Sequence, residues 1–308
     1  MALAQTRAHL IDRLTKPRGR LTADAPLGPQ TWFRTGGPAE VLFRPADTED
    51  LATFLAALPA DVPVTALGVG SNLLVRDGGW RGTVILTHGA SRRPKMHEDL
   101  LHAEAGVASP KVARFAAQHH LEGAEFLAGI PGTIGGALAM NAGCYGGETW
   151  DIVERVAMID RYGKVTERTR DEFDIGYRHC FPTPARKEWF VAAWFRLKPG
   201  DGDTSRGIMK ELLARRIATQ PLSLPNAGSV FRNPPKDHAA RLIEACGLKG
   251  FARGGARVSE KHANFIVNPD GKGSAADLEW LIKHIAKVVY QMKGVALTTE
   301  VRIVGEPK

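Results

Sequence analysis

Cysteine is scarce in this chain. Cys144, Cys180 and Cys246 are the only three in 308 residues. An odd number of distant thiols without a CxxC pair excludes a disulfide framework and a thiolate zinc site, and reads as reduced core or loop thiols. Long apolar runs are also missing, and none approaches the length of a membrane span. The first residues carry Arg7, His9, Asp12, Arg13 and Lys16, too much charge for a secretory signal. A cytoplasmic protein away from membranes is the expectation. No HExxH or comparable ligand spacing occurs, so no metal is invoked. Gly163-Lys164 and Gly271-Lys272 lack both the upstream glycine and the following hydroxyl of a P-loop, which excludes that kind of kinase or ATPase. Internal repeats and low-complexity segments are absent too.

Glycine, in contrast, is abundant and concentrated. Gly129-Ile130-Pro131-Gly132-Thr133-Ile134-Gly135-Gly136-Ala137-Leu138-Ala139-Met140-Asn141-Ala142-Gly143-Cys144-Tyr145-Gly146-Gly147 holds seven glycines and no charged side chain. Glycine is the costliest residue to order, so such a loop is not there to pack side chains. It offers bare backbone N–H groups to a large polar ligand, and nests of that kind favour phosphate oxygens. A turn-rich connection is the plainer alternative, although connections seldom need so many residues.

The net charge of +8 admits nucleic acid or small polyanions. Lys and Arg are scattered, however, with Arg92-Arg93 and Arg215-Arg216 as the longest clusters. Neither a zinc-finger spacing nor an RNA-binding sheet signature is present. Most of this charge reads as a basic surface, with a few cations left for an anionic ligand.

Periodicity gives an α+β chain. An N-terminal helix is expected through Leu3, Leu10, Ile11 and Leu14, then a strand from Glu40 to Arg44 and a helix capped by Asp47. A strand over 64–67 runs into Gly68-Val69-Gly70-Ser71-Asn72-Leu73-Leu74-Val75. This is half a dinucleotide fingerprint, but the third glycine is missing and Leu73-Leu74-Val75 reads as strand, so a Rossmann unit is rejected. Further strands are expected at 83–86, 100–105, 153–160, 165–169 and 191–197. Ser109 is expected to cap a helix that starts with Pro110. Pro199-Gly200-Asp201-Gly202-Asp203 marks the clearest boundary. Beyond it, helices are expected around Ile208, Leu212, Leu213 and Ile217, after Asp237, and after a Ser274/Asp277 capping box. The last of these carries Leu278, Leu281, Ile282, Ile285, Val288, Val289 and Met292. An alternating strand is expected over 295–304.

Three glycine-rich elements, Trp32-Phe33-Arg34-Thr35-Gly36-Gly37-Pro38-Ala39, 67–74 and 129–147, occur in an order that resembles the UDP-N-acetylenolpyruvoylglucosamine reductases. The likeness continues through Tyr177-Arg178, 226–234 and Thr299-Glu300-Val301-Arg302. It implies a two-lobed FAD-binding domain of the vanillyl-alcohol-oxidase class plus a C-terminal α+β substrate-binding domain. The corresponding boundaries are 1–200 for the FAD region, with lobes at about 20–87 and 88–200, and 201–308 for the substrate domain. The resemblance implies non-covalent FAD held by Arg34, Gly68, Gly70, Ser71, Asn72, Leu73, Gly129, Pro131, Gly132, Thr133, Gly135, Gly136, Asn141 and Gly143. NADPH would reduce the flavin and leave. The flavin would then pass hydride to the enolpyruvyl group of a UDP-sugar, giving UDP-N-acetylmuramate for peptidoglycan synthesis.

Roles for side chains follow from the same likeness. Arg178 matches the family arginine on the substrate carboxylate, Ser229 the proton donor and Glu300 the carboxyl that assists Arg178. Tyr177, Arg232, Asn233, His262 and Asn264 fall where the family contacts substrate. Cys180 stands where a serine is usual, which puts a supporting hydrogen bond in doubt. The chain has no room for the tyrosine-bearing loop of the longer subclass and so resembles the shorter one. A monomer is expected. Two alternatives remain: a flavin oxidase of the same fold acting on an alcohol or sugar, and a basic nucleic-acid-binding protein.

Overall fold

The computed structural model describes residues 9–89 and 93–308. In lobe one, β1 (Arg20–Pro26), β2 (Pro38–Arg44), β3 (Val64–Leu67) and β5 (Trp80–Leu86) form a sheet in the order β1-β2-β5-β3. The β1/β2 pair is antiparallel, while β2 and β3 each lie parallel to β5. Gly82 to Leu86 of β5 are all buried, as expected of a central strand covered on both faces. Helix α1 (Thr48–Ala57) starts at Asp47, whose side chain accepts from the Asp50 amide. Leu51, Phe54 and Leu55 of α1 share one core with Val41, Phe43 and Ile85 of lobe one and with Ile159 and Val191 of the next sheet. One helix face thus joins two sheets. The short β4 (Leu73–Val75) follows the glycine turn after β3.

Lobe two is an antiparallel sheet of β6 (Lys95–His97), β7 (Leu100–Glu104), β11 (Val153–Asp160), β12 (Val165–Thr169) and β15 (Glu188–Phe195), in the order β12-β11-β15-β7-β6. Its core includes Leu101, Leu127, Leu138, Trp150 and Phe195, covered by α2 (Ser109–Gln118) and the short α3 (Ile134–Ala139). Three small ribbons trim it. β8 (Leu121–Glu122) pairs with β16 (Lys198–Pro199), β9 (Gly143–Cys144) with β10 (Gly147–Glu148), and β13 (Phe173–Gly176) with β14 (His179–Pro182).

Helix α4 (Gly202–Thr219) packs back on lobe two, where its Met209 joins that core. The C-terminal unit comprises α5 (Ala239–Glu244), the ribbon β17 (Ala252–Arg253), β18 (Ala256–Val258) and β19 (Ile266–Val267), then α6 (Ala275–Lys293) and β20 (Arg302–Val304). Its core runs through Phe231, Leu242, Leu278, Ile282 and Val289 and also contains Phe33 and Leu74 of lobe one. Strand β20 pairs in parallel with β4, with Arg302 opposite Leu73. The end of the chain is thereby stitched to the glycine turn near its beginning. The α6 capping box forms, and Asp77 of lobe one adds two more bonds, accepting from the amides of Ala275 and Ala276 at 3.0 and 2.9 Å. Those amides are among the orphan donors of any helix start.

Several sequence expectations change. The N-terminal helix is a single 3-10 turn, Leu10–Arg13, and Leu3 lies outside the described residues. Ala108, not Ser109, occupies the cap of α2, with no side-chain cap bond. His238 occupies the cap of α5, and the Ala239 amide is satisfied by Asn233 Oδ1 at 3.1 Å. The alternating strand over 295–304 shrinks to β20, because 298–301 bond to the 230–232 segment instead of a sheet. In α4, Ile208, Leu213 and Ile217 are exposed, while Ser205 and Met209 face inward. Met292 of α6 is exposed as well.

Candidate functional site

The glycine turn after β3 is shaped by its neighbours. Gly70 has φ +60, and a Cβ there would stand 2.6 Å from Gln30 O and 2.7 Å from Thr31 Cα. The Trp32 amide donates to Gly70 O at 3.2 Å. The Trp32–Gly37 motif therefore braces this turn, while Phe33 is buried in the C-terminal core and Asn268 Nδ2 donates to its carbonyl at 3.0 Å. Across the cleft, a Cβ on Gly68 would lie 2.5 Å from Thr133 Oγ1, so the two glycine loops meet there. Among the described residues, the amides of Gly68 through Asn72 and of Gly132, Thr133 and Gly136 have no protein acceptor. Unpaired donors facing a cavity call for an anionic or carbonyl oxygen.

These loops line a cleft of about 450 Å³. Gly68, Gly70, Ser71, Asn72, Leu73, Gly129, Pro131, Gly132, Thr133, Gly136 and Gly143 face it, together with Arg178, Ser229 and Glu300. Fourteen residues proposed from the sequence thus come from five separate segments to one cavity.

Arg178 lies at the tip of the β13/β14 hairpin with φ +61. Its Nη2 donates to Gly143 O at 3.1 Å, and its Nε stands 2.9 Å from Glu300 Oε1. The Nε contact is an ion pair without hydrogen-bond alignment, since the buried Nε–H has no aligned acceptor. Glu300 is held by its amide on Val230 O at 2.8 Å and by Asn72 Nδ2 on its carbonyl at 3.2 Å. Burial pushes the Glu300 carboxyl above the usual range, opposed first by Arg178 and then by Arg232. Ser229 follows a turn that Asn226 builds: Oδ1 accepts from Gly228 N at 2.9 Å, and Gly228 has φ +73. Asn226 satisfies the turn, so the Ser229 hydroxyl faces the cleft without a protein partner among the described residues.

Eight other expected residues lie outside the cleft lining. Arg34 is exposed, with φ +55. Gly135 bonds through its amide to Ala105 O at 2.8 Å, where a Cβ would lie 2.9 Å from Ala105 Cβ; it permits close packing of α3 on lobe two. Asn141 is buried and consumed by the scaffold: Nδ2 donates to Glu148 at 2.8 Å and Oδ1 accepts from Trp150 N at 3.1 Å. Tyr177 is exposed beneath the Arg178 guanidinium, 5.2 Å from its ring centre. Arg232 Nη2 donates to Arg178 O at 3.0 Å. Asn233 serves α5, and Asn264 clamps both backbone groups of Phe231, at 3.0 and 2.8 Å. His262 is partly buried with its Nδ1 unpartnered, and burial lowers its proton affinity. Each amide side chain resembled a ligand in the sequence because a scaffold amide has the same formula.

Other lining residues were not anticipated. Arg215, Arg216, Thr219 and Gln220 come from the end of α4, Cys144 and Tyr145 from the β9/β10 hairpin, and Arg302 from β20. Arg216 Nε donates to Gln220 Oε1 at 2.9 Å, and burial lowers its proton affinity. Tyr145 Oη donates to Leu212 O at 3.0 Å. The Arg215-Arg216 pair was the one visible signal. With Arg178 and Arg302, the cleft holds four guanidinium groups against the single carboxylate of Glu300 among the described residues, a setting for polyanions.

Two sheet-bearing lobes whose bare-amide loops converge below a third unit define a flavoprotein of the vanillyl-alcohol-oxidase class. An FAD binding domain family matches residues 39–169. Residues 220–304 match the C-terminal domain of UDP-N-acetylenolpyruvoylglucosamine reductase. The reductase of that name from Thiobacillus denitrificans is 53% identical over 303 residues, spanning 94% of this chain and 93% of that protein. The one from Methylococcus capsulatus is 54% identical over 290 residues, spanning 94% of each. The crystal structure of the Thermus caldophilus reductase overlays with a TM-score of 0.78 at 32% identity, covering 94% of this chain and 99% of the other. The chain belongs to the UDP-N-acetylenolpyruvoylglucosamine reductase family and is an FAD-containing oxidoreductase.

Proposed function

We propose that this enzyme reduces the enolpyruvyl ether of a UDP-sugar to UDP-N-acetylmuramate at the expense of NADPH, in the cytoplasmic synthesis of peptidoglycan precursors. The observation that carries the reading is the meeting of Arg178, Ser229 and Glu300 in the cleft lined by both glycine loops. The residues present fit FAD: the unpaired amides of 68–72 and 132–136 suit its pyrophosphate, and the Gly68/Thr133 contact leaves no space for a side chain between the loops. When bound, FAD supplies the hydride chemistry that no side chain here can provide.

The protein's own part is electrostatic and proton-donating. Hydride addition to an enolpyruvyl group moves negative charge onto its carboxylate, and a fixed cation lowers the cost of that development. Arg178 has Nε beside Glu300 and Nη2 on Gly143 O, so the remaining N–H groups of its planar fork can meet the carboxylate. Glu300 orients the fork through their ion pair. Ser229, without a protein acceptor for its hydroxyl, delivers the proton to the carbon beside the carboxylate. The clustered arginines suit the nucleotide diphosphates of both substrates.

The test is Ser229→Ala in the FAD-loaded enzyme, followed by stopped-flow absorbance. NADPH should bleach the flavin at an unchanged rate. Reoxidation by the enolpyruvyl UDP-sugar should slow by about 10²–10⁴, the range for a lost general acid. Equal slowing of both half-reactions would remove Ser229 from its assigned role.

A further inference from the structure

Arg232 was expected to touch substrate, yet it does not line the cleft. The geometry points to Arg232 as a positioning residue that fastens the hairpin turn carrying Arg178 to the segment carrying Glu300, so that the two act on the reacting carboxylate in register. The inference rests on the roles given above to those two residues.

Arg232 bonds in both directions. Its amide donates to Thr298 O at 2.9 Å, two residues before Glu300, while Glu300 N donates back to Val230 O at 2.8 Å. Phe231 and Thr299 form the bridge between them. Its side-chain Nη2 donates to the carbonyl of Arg178 at 3.0 Å. The hairpin belongs to lobe two and the 298–300 segment to the C-terminal unit, 54 residues separating Arg232 from its side-chain partner. One residue therefore spans the seam between the units that supply the two reacting groups. The grip falls on a residue in need of restraint, because Arg178 holds φ +61, a conformation that a non-glycine side chain disfavours.

Charge adds a second effect. The Arg232 Nε is buried without a hydrogen-bond partner, and no carboxylate forms an ion pair with Arg232 among the described residues. Glu300 is faced by Arg178 from the hairpin and by Arg232 from the 230–232 segment, and both oppose the effect of burial on its carboxyl. Arg302, on β20, faces Arg232 in turn and is destabilised as a cation by burial and by that neighbour. Removing the Arg232 charge leaves burial less opposed, so Glu300 takes up a proton at higher pH. An ionised Glu300 is the form that pairs with Arg178, so activity should then fall away at higher pH on the acid side.

Arg232→Met and Arg232→Lys, each as the full FAD-loaded chain, test this. For Arg232→Met, FAD content and bleaching by NADPH should stay within about twofold of the parent. Reoxidation at saturating enolpyruvyl UDP-sugar should slow about 10–100-fold, the scale of a misplaced reacting group, and its acid limb should move to higher pH. Lysine keeps the charge but cannot reproduce the fork; its limb should return to the parent position while the saturating rate stays several-fold low. A rise in KM with the saturating rate and limb unchanged would make Arg232 a substrate contact and overturn the proposal. Equal loss in both half-reactions, or a Lys variant identical to the parent, would also overturn it. Should the Met variant lose FAD, the Lys variant decides by the same criteria. A parent enzyme that NADPH failed to bleach would instead refute the function proposed above.

Discussion

At Glu300, burial and charge pull in opposite directions. Burial dominates, so its carboxyl titrates above the usual range despite Arg178 and Arg232. A carboxyl with a raised pKa in the folded state contributes full stability below its unfolded pKa, and that contribution is lost as pH rises through the folded value. At pH 7 the ionised group therefore lowers stability. Glu300→Gln should raise the melting temperature of the protein at pH 7 relative to the parent, and the gap should close as the pH is lowered below about 4. Reoxidation of reduced flavin by substrate should slow in the same variant. A gap that widened on acidification would reverse the assignment. The cysteines show how burial can outweigh neighbouring charge. Burial raises the Cys144 thiol to about 11, and its Sγ donates to Phe126 O at 3.1 Å, so it is a poor nucleophile although it lines the cleft. Cys180 is raised to about 12 by burial in the core of lobe two, opposed by a side-chain hydrogen bond with Trp150. No histidine lines the cleft among the described residues. Denaturation should accordingly release all the yellow colour from the chain, and colour retained on the polypeptide would favour a tethered-flavin oxidase.

The element that most tightly links sequence to site is the turn between β3 and β4. Gly70 adopts φ +60 with Gln30 O and Thr31 Cα close by, so an alanine meets both a left-handed backbone and a clash. The backbone term alone costs about 1–2 kcal/mol. Gly70→Ala should weaken FAD binding at least tenfold in a flavin-fluorescence titration, while far-ultraviolet circular dichroism stays unchanged. Unaltered affinity would show that this turn does not hold the cofactor. Much of this element was legible: a strand, two glycines and a second strand in place of a helix excluded the Rossmann alternative. Local chemistry also sufficed for α6, whose Ser274/Asp277 box forms as expected. It was not sufficient for 295–301. Alternation there suggested a strand, but the segment bonds to 230–232 and only Arg302–Val304 joins a sheet. Periodicity reports which faces are apolar, not whether a partner strand is available.

For the molecule as a whole, the seam between lobe one and the C-terminal unit is closed by polar side chains as well as by the shared core of Phe33 and Leu74 and the β20/β4 pairing. Arg76 of lobe one meets Glu279 of α6 through two bonds, Nε at 2.8 Å and Nη2 at 3.1 Å, while Nη1 reaches Gly305 O at 3.2 Å. The Arg76 hydrogen bond is the main reason the Glu279 carboxyl falls to about 2. A depressed carboxyl stabilises the fold above its unfolded pKa and loses that contribution as pH drops toward 2. Glu279→Gln should cost about 1–2 kcal/mol at pH 7, discounted because Arg76 is partly exposed. The loss should shrink between pH 4 and pH 2, as measured by urea unfolding. A pH-independent loss would assign the effect to packing.

The sequence by itself determined the local structure and the lineage. Capping pairs, glycine turns and hydrophobic periods act within a few residues, and six ordered motifs carried the likeness to the reductases and with it Arg178, Ser229 and Glu300. Only the tertiary structure decided which polar groups remain available to a ligand. Asn141, Asn233 and Asn264 spend their amides on the scaffold, whereas Arg215, Arg216 and Arg302 reach the cleft. The physical reason is range: a hydrogen bond forms with whatever lies within about 3 Å, and folding sets that across separations as long as the 235 residues between Asn268 and Phe33.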